Sequence, residues 1–133
     1  MKRNIFKLLF LLLFLLLFFT ACQAQVKDGT QLVNPEAFEK TITANKGQLI
    51  DVRTPKEYQS GHLKGAKNLH IYEKNFGEEV DKLDKTKPVY VYCKAGGRSA
   101  EAVEILQEKG FKKIVELDGG IDAWNDQKKT VEK

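Results

Sequence analysis

Residues 88–99 read Pro88-Val89-Tyr90-Val91-Tyr92-Cys93-Lys94-Ala95-Gly96-Gly97-Arg98-Ser99. A run of β-branched and aromatic residues behind a proline predicts a central strand over Pro88–Tyr92. Small residues and two glycines follow at once. Ser99–Lys109 then places Ala102, Val103 and Leu106 on one helical face, and Gly110 supplies the stop. The unit is a buried strand, a tight loop and a helix, which belongs in a parallel sheet.

The same alternation runs outward in both directions. Thr30–Val33 predicts a first strand. Asn34 and Pro35 read as N-cap and first helical residue, with Glu36 in the first turn and Ala37, Phe38 and Ile42 as the apolar stripe. Gln48–Val52 predicts a short buried strand, Pro55–Ser60 a helix ended at Gly61, Ala66–His70 a strand and Glu78–Leu83 a helical stretch. Lys112–Leu117 and Ile121–Gln127 predict a last strand and a last helix. The expected class is α/β, with a central parallel sheet of about five strands and helices on both faces. Such sheets take ligands outside the carboxyl ends of their strands. Two segments sit at such ends: Asp51-Val52-Arg53, and Cys93 to Ser99.

The chain has 133 residues and a formal net charge of +4, a length for one domain. Its charge is unevenly placed. Residues 1–21 contain Lys2, Arg3 and Lys7 and no acid, so the remainder holds 19 basic residues (22 less 3) against 18 acidic ones. A near-neutral domain argues against a nucleic-acid footprint. The first 21 residues have the parts of a secretory signal: a basic start, then an apolar run from Leu8 to Phe19. That run is shorter than the roughly 20 residues of a membrane span; an uncleaved anchor helix would have to place Lys7 inside the bilayer.

Phe19-Thr20-Ala21-Cys22 resembles the lipobox of bacterial lipoproteins, with Phe19 in place of the usual leucine. The resemblance implies that Cys22 is lipid-modified, becomes the new N-terminus and holds the protein to a membrane. Ordinary cleavage after Ala24 is the alternative. Either route exports the protein to the periplasm or cell envelope. Residues 22–29 then form a polar tether, 30–127 the domain and 128–133 a polar tail, read as a solvated end.

Two cysteines occur, Cys22 and Cys93. With Cys22 lipidated or removed, Cys93 has no intramolecular partner. A buried strand-end thiol is one reading; the neighbours of Cys93 support another. Gly96 and Gly97 can take positive φ, so the Lys94–Arg98 backbone can curl with its amides inward. The following helix adds its positive end, and Lys94 and Arg98 add charge. A sulfur at the centre of that cup is held as thiolate, the form needed for nucleophilic attack.

Three motifs identify a resemblance to the rhodanese (sulfurtransferase) superfamily. Asp51-Val52-Arg53-Thr54-Pro55-Lys56-Glu57-Tyr58-Gln59-Ser60-Gly61-His62-Leu63-Lys64-Gly65-Ala66 resembles its first signature. Tyr90 to Cys93 with Gly96, Arg98 and Ser99 resembles its active-site strand and loop. Asp118-Gly119-Gly120 with Trp124 resembles its closing segment. The resemblance implies that Cys93 takes a sulfane sulfur from a small anionic donor such as thiosulfate. A persulfide forms and passes that sulfur to cyanide or a thiol. The implied substrate-binding residues are Lys94, Ala95, Gly96, Gly97, Arg98 and Ser99. No metal or cofactor is implied, and the domain is expected to be monomeric. A carrier that binds sulfane sulfur without turnover is the alternative. A Cdc25-like phosphatase shares the first signature but uses a seven-residue C-x5-R loop, whereas Cys93 to Arg98 is C-x4-R.

Asp51, Arg53 and Glu57 are expected as supporting residues. Asp51 orients a loop amide or Arg53, or caps the strand. Arg53 adds positive potential at the mouth or forms an internal ion pair. Glu57 faces Arg98 or the loop backbone. His62 reads as a hydrogen-bonded support because no carboxylate partner is legible near it. Two histidines and one cysteine do not make a spaced metal site.

Overall fold

The computed structural model describes Asn4, Ile5, Lys7, residues 29–45 and residues 47–133. Residues 22–28 of the expected tether 22–29, Cys22 among them, and most of the leader lie outside the described residues. Among the described residues no helix is long and apolar enough to cross a membrane.

Among the described residues from Thr30 onward, five strands and five helices alternate: β1 (Thr30–Val33), α1 (Pro35–Ala44), β2 (Gln48–Asp51), α2 (Pro55–Ser60), β3 (Lys67–Asn68), α3 (Phe76–Asp81), β4 (Val89–Tyr92), α4 (Gly97–Glu108), β5 (Ile114–Leu117) and α5 (Gly120–Asp126). All pairings are parallel, in the order β1-β5-β4-β2-β3. The expected α/β class and five-stranded sheet are what the structure has. Strand β4 sits in the middle, and all four of its residues are buried, as its unbroken apolar run requires.

The pleat divides the core into two layers. Val89, Val91 and Cys93 join Ile50 and Ile114 beneath Phe76 and Val80 of α3 and Ala102, Val103 and Leu106 of α4. Tyr90 and Tyr92 point the other way and pack with Phe38 of α1 and Ile121 and Trp124 of α5. Helices thus cover both faces. Local chemistry starts them where expected: Asn34 accepts from the Ala37 amide, and Pro35 opens α1. Thr54 and Glu57 form a reciprocal capping box at α2.

Several boundaries shift. The strand expected over Ala66–His70 pairs only at Lys67 and Asn68. Backbone bonds to β2 continue past it, from Leu69 N–H to the Asp51 carbonyl (2.9 Å) and from Ile71 N–H to the Val52 carbonyl (3.2 Å), and the side chain of Asn68 adds bonds to the carbonyls of Asp51 (3.0 Å) and Arg53 (2.9 Å). Helix α3 begins at Phe76 rather than Glu78, because Phe76 and Val80 are its buried residues. Helix α4 begins at Gly97, two residues before Ser99. The C-terminal tail, expected as a solvated end, is pinned. His62 and Glu132 exchange backbone hydrogen bonds of 2.9 and 2.8 Å. The Trp124 indole N–H donates to the Thr130 carbonyl at 3.0 Å, and Lys129 pairs with Glu39. A mostly buried indole needs an acceptor, and the tail supplies it.

Phe38 is fully buried and meets Tyr90 and Trp124 edge-on, with centroids at 5.8 and 6.5 Å. Phe38→Ala is expected to lower unfolding free energy by about 3–5 kcal/mol, read from the urea midpoint at unchanged slope. A loss under about 1 kcal/mol would show that α1 is not held through this ring.

Candidate active site

The parallel sheet brings the ends of β2 and β4 side by side, with Asp51 in register with Tyr92. Cys93 is the first residue past β4. It is buried, with its sulfur at the base of the loop that leads into α4. Two backbone bonds hold the turn: Ile121 N–H donates to the Cys93 carbonyl (2.9 Å) and Asp122 N–H to the Lys94 carbonyl (3.0 Å). This explains Gly120. Its φ is +60°, and a Cβ there would lie 2.4 Å from the Lys94 oxygen and 2.5 Å from the Cys93 oxygen. Only glycine lets α5 come this close.

Gly96, at φ +123°, turns the loop back on itself. Its N–H donates to Cys93 Sγ at 3.0 Å, and Ser99 Oγ lies 3.4 Å from the same sulfur. Burial pushes the thiol pKa up. Hydrogen bonds from the Ser99 side chain and from the amides of Ser99, Gly96 and Ala95 outweigh it, and the net result is a lowered pKa. The amides of Ala95, Gly96 and Ser99 thus turn toward the sulfur.

The side-chain charges are arranged differently from the bare loop. Arg98 makes a two-pronged contact with Glu57, Nη1 to Oε2 at 2.7 Å and Nη2 to Oε1 at 2.8 Å. Lys94 pairs with Asp122 at 2.7 Å. Arg53 is buried and pairs with buried Asp51 at 2.6 Å. Its Nη2 also donates to the Gly61 carbonyl at 2.7 Å, tying the end of β2 to the end of α2. Of the two roles open to Arg53, the structure places it in the internal pair. Asp51 also accepts from the Arg53 amide. Each expected cation thus has a carboxylate, and the amides face the sulfur.

The remaining loop residues separate by position. Ala95 and Gly97 are exposed, and Gly97 is the first residue of α4. Ser99, expected among the substrate-binding residues, is fully buried with its Oγ beside the sulfur. His62 stacks on Tyr58 with centroids 3.7 Å apart, and its Nδ1 contacts the Tyr58 carbonyl. Its Nε2 lies 3.9 Å from Glu132, a carboxylate partner invisible at a separation of 70 residues. Among the described residues no group of three or more His, Cys, Asp or Glu is placed to hold a metal ion. A groove of about 380 Å³, lined by Ile42, Leu49, Tyr90 and Trp124 among others, contains no residue of the Cys93–Ser99 loop.

Sequence reasoning missed Asp122 and Glu116. Asp122 lies 28 residues from Lys94 and carries no local signal. Glu116 does carry one: it is a single acid inside the apolar strand Ile114-Val115-Glu116-Leu117. It is 8% exposed, and Ser99 Oγ donates to its Oε1 at 2.7 Å.

Residues 34–127 match the family model described as Rhodanese-like domain. The chain is 38% identical over 104 residues to "Probable adenylyltransferase/sulfurtransferase MoeZ" of Mycobacterium tuberculosis, covering 78% of this chain and 26% of that protein. It is 29% identical over 133 residues to a tRNA uridine(34) hydroxylase of Chlamydia pneumoniae, covering 96% of this chain and 41% of that one. The chain thus spans well under half of either relative. A rhodanese-related protein of Thermoplasma volcanium superposes with a TM-score of 0.68 at 31% identity, covering 77% of this chain and 97% of that one.

Two outcomes follow from the geometry. Gly120→Ala is expected to slow iodoacetamide labelling of Cys93 at neutral pH about tenfold or more, because a displaced turn loses the amide bonds that lower the thiol pKa. Wild-type labelling would show that α5 does not set the cup. Glu57, with Arg98 as the main cause, has its pKa lowered to about 2. Its stabilisation is present above its unfolded value of about 4.3 and is lost as pH falls from there toward its folded value. Thermal midpoints of Glu57→Gln should therefore fall less steeply than wild type over that window; parallel curves would refute the linkage.

Proposed function

We propose that this chain, which belongs to the rhodanese-like domain family, is a sulfurtransferase that carries sulfane sulfur on Cys93. The observation that supports it most is the polar surrounding of one sulfur: the Gly96 amide donates to it at 3.0 Å and Ser99 Oγ lies 3.4 Å away, with the thiol pKa lowered. The segment shared with a relative named as a sulfurtransferase supports the same reading.

The chemistry proceeds in two displacements. The Cys93 thiolate attacks the outer sulfur of a donor such as thiosulfate. A Cys93–sulfur bond forms, the donor's S–S bond breaks, and sulfite leaves with the electron pair. The resulting persulfide anion lies among the amides of Ala95 and Gly96, which also stabilise the charge that develops during attack. A cyanide ion or thiolate then attacks the terminal sulfur, and Cys93 departs as thiolate. The donors that lower its pKa also make it a good leaving group. The six-residue Cys93–Arg98 loop suits a sulfur atom better than a phosphoryl group.

Incubation with thiosulfate should add one sulfur atom to the intact mass of the wild-type domain and none to Cys93→Ser. With cyanide present, the wild type should release thiocyanate over many turnovers. A single burst that stops would identify a carrier, and no sulfur gain with any sulfane donor would overturn the proposal.

We propose further that the protein is exported and held to a membrane through lipidated Cys22. In a bacterial host, processing should be sensitive to globomycin, and Cys22→Ser should leave the membrane fraction. Unchanged fractionation of Cys22→Ser would remove the lipid anchor.

A further inference from the structure

Glu116 is a buried acid that the two displacements do not use. It lies on β5 between apolar neighbours and points to the same face as Ile114, toward α4. Across the sheet it is in register with Leu32 of β1 and Val91 of β4. A carboxyl group in such surroundings loses hydration, and an apolar residue would fit at less cost. Its side-chain partner is Ser99, the residue that also touches the Cys93 sulfur.

Ser99 Oγ has one hydrogen and three acceptors around it: Glu116 Oε1 at 2.7 Å, the Gly96 carbonyl at 3.1 Å and Cys93 Sγ at 3.4 Å. Where that hydrogen points depends on Glu116. An ionised carboxylate is the strongest and nearest acceptor and takes it, leaving a serine lone pair toward the sulfur. A protonated carboxyl donates to Ser99 Oγ instead, and the hydroxyl hydrogen is then available to Cys93.

We propose that Glu116 is a positioning residue that acts through Ser99: when protonated, it turns the Ser99 hydroxyl onto the Cys93 thiolate and stabilises that thiolate as it departs from the persulfide. The inference rests on the sulfur-transfer reading above. The burial that favours a neutral Glu116 also raises its pKa, with the charge of Asp118 adding to the effect. The ionisable groups facing the relay are Cys93 from β4, Asp118 beyond β5, Arg98 from α4 and Tyr72 from the segment after β3. Ala102 and Val103 of α4 and Leu32 of β1 are apolar. A thiolate at Cys93 and a carboxylate at Glu116 would place two negative charges one serine apart, an arrangement that opposes the second ionisation.

The test uses the domain loaded as its Cys93 persulfide and a water-soluble triarylphosphine as acceptor. The phosphine takes the terminal sulfur as phosphine sulfide, the S–S bond breaks, and its electron pair returns to Cys93. In wild type the discharge rate should fall about tenfold as pH rises through the ionisation of Glu116, which is the worth of one hydrogen bond to a charged group. Glu116→Gln should show no fall, because its amide N–H donates to Ser99 at every pH. Ser99→Ala should stay at the low level throughout. The same alkaline fall in Glu116→Gln as in wild type overturns the proposal. If no persulfide loads, the sulfur-transfer reading fails separately, and thiolate absorbance still reads Glu116. Wild-type Cys93 should then titrate in two coupled steps and Glu116→Gln in one; superimposable curves overturn the proposal. Should Glu116→Gln not fold, Ser99→Ala must abolish the coupling in that titration, and its persistence overturns the proposal.

Discussion

Two backbone hydrogen bonds fix where the Cys93 sulfur sits. The first amides of α5 reach back to the carbonyls of Cys93 and Lys94, and Gly120 permits the approach. Without them, the residue that follows β4 would be free to leave the sheet in several directions. With them, the Cys93–Lys94 peptide is held and the loop can only close forward, through Gly96, onto its own sulfur. The strand supplies the position and α5 the orientation. The closing Asp118-Gly119-Gly120 segment is therefore part of the site, although none of its side chains touches the sulfur.

Charge is organised in layers around this clamp. The innermost layer is made of dipoles: the Gly96 amide and the Ser99 hydroxyl. The next is made of ion pairs, Arg98 with Glu57, Lys94 with Asp122 and Arg53 with Asp51. The buried Arg53–Asp51 pair is weak support for stability in itself, since desolvation offsets its attraction. Its value lies in placement, because the same guanidinium holds Gly61 and so aligns α2. Helix α2 in turn presents Glu57 to Arg98. The first signature thus supports the cup from outside.

Much of this was legible from residues 88–99 and their neighbours. The apolar run Val89–Tyr92 announced a strand buried on both faces, Gly96 and Gly97 announced the turn, and Asn34-Pro35 announced the start of α1. These features were readable because their causes are local. Partners distant in the chain were not. Asp122 meets Lys94 across 28 residues and Glu116 meets Ser99 across 17. His62 meets Glu132 at the far end of the chain. Asn68 likewise reaches the carbonyls of Asp51 and Arg53 across more than a dozen residues, and no propensity encodes that. Glu116 is the instructive case. An acid inside an apolar strand is a visible violation of pattern, and such violations gather at functional sites.

The paired cations at the mouth have a consequence for how a substrate arrives. A site with unbalanced positive charge projects a field over roughly a Debye length, about 8 Å at physiological salt, and draws anions in from solution. Here Lys94 and Arg98 each carry a countercharge on a partner side chain, and Arg53 is paired inside the domain, so their fields cancel within a few ångströms. What remains is the short-range pull of backbone dipoles, felt only after contact. Capture is thus governed by fit at the sulfur rather than by attraction at a distance. Encounter rates with the anionic donors proposed above should accordingly depend little on ionic strength.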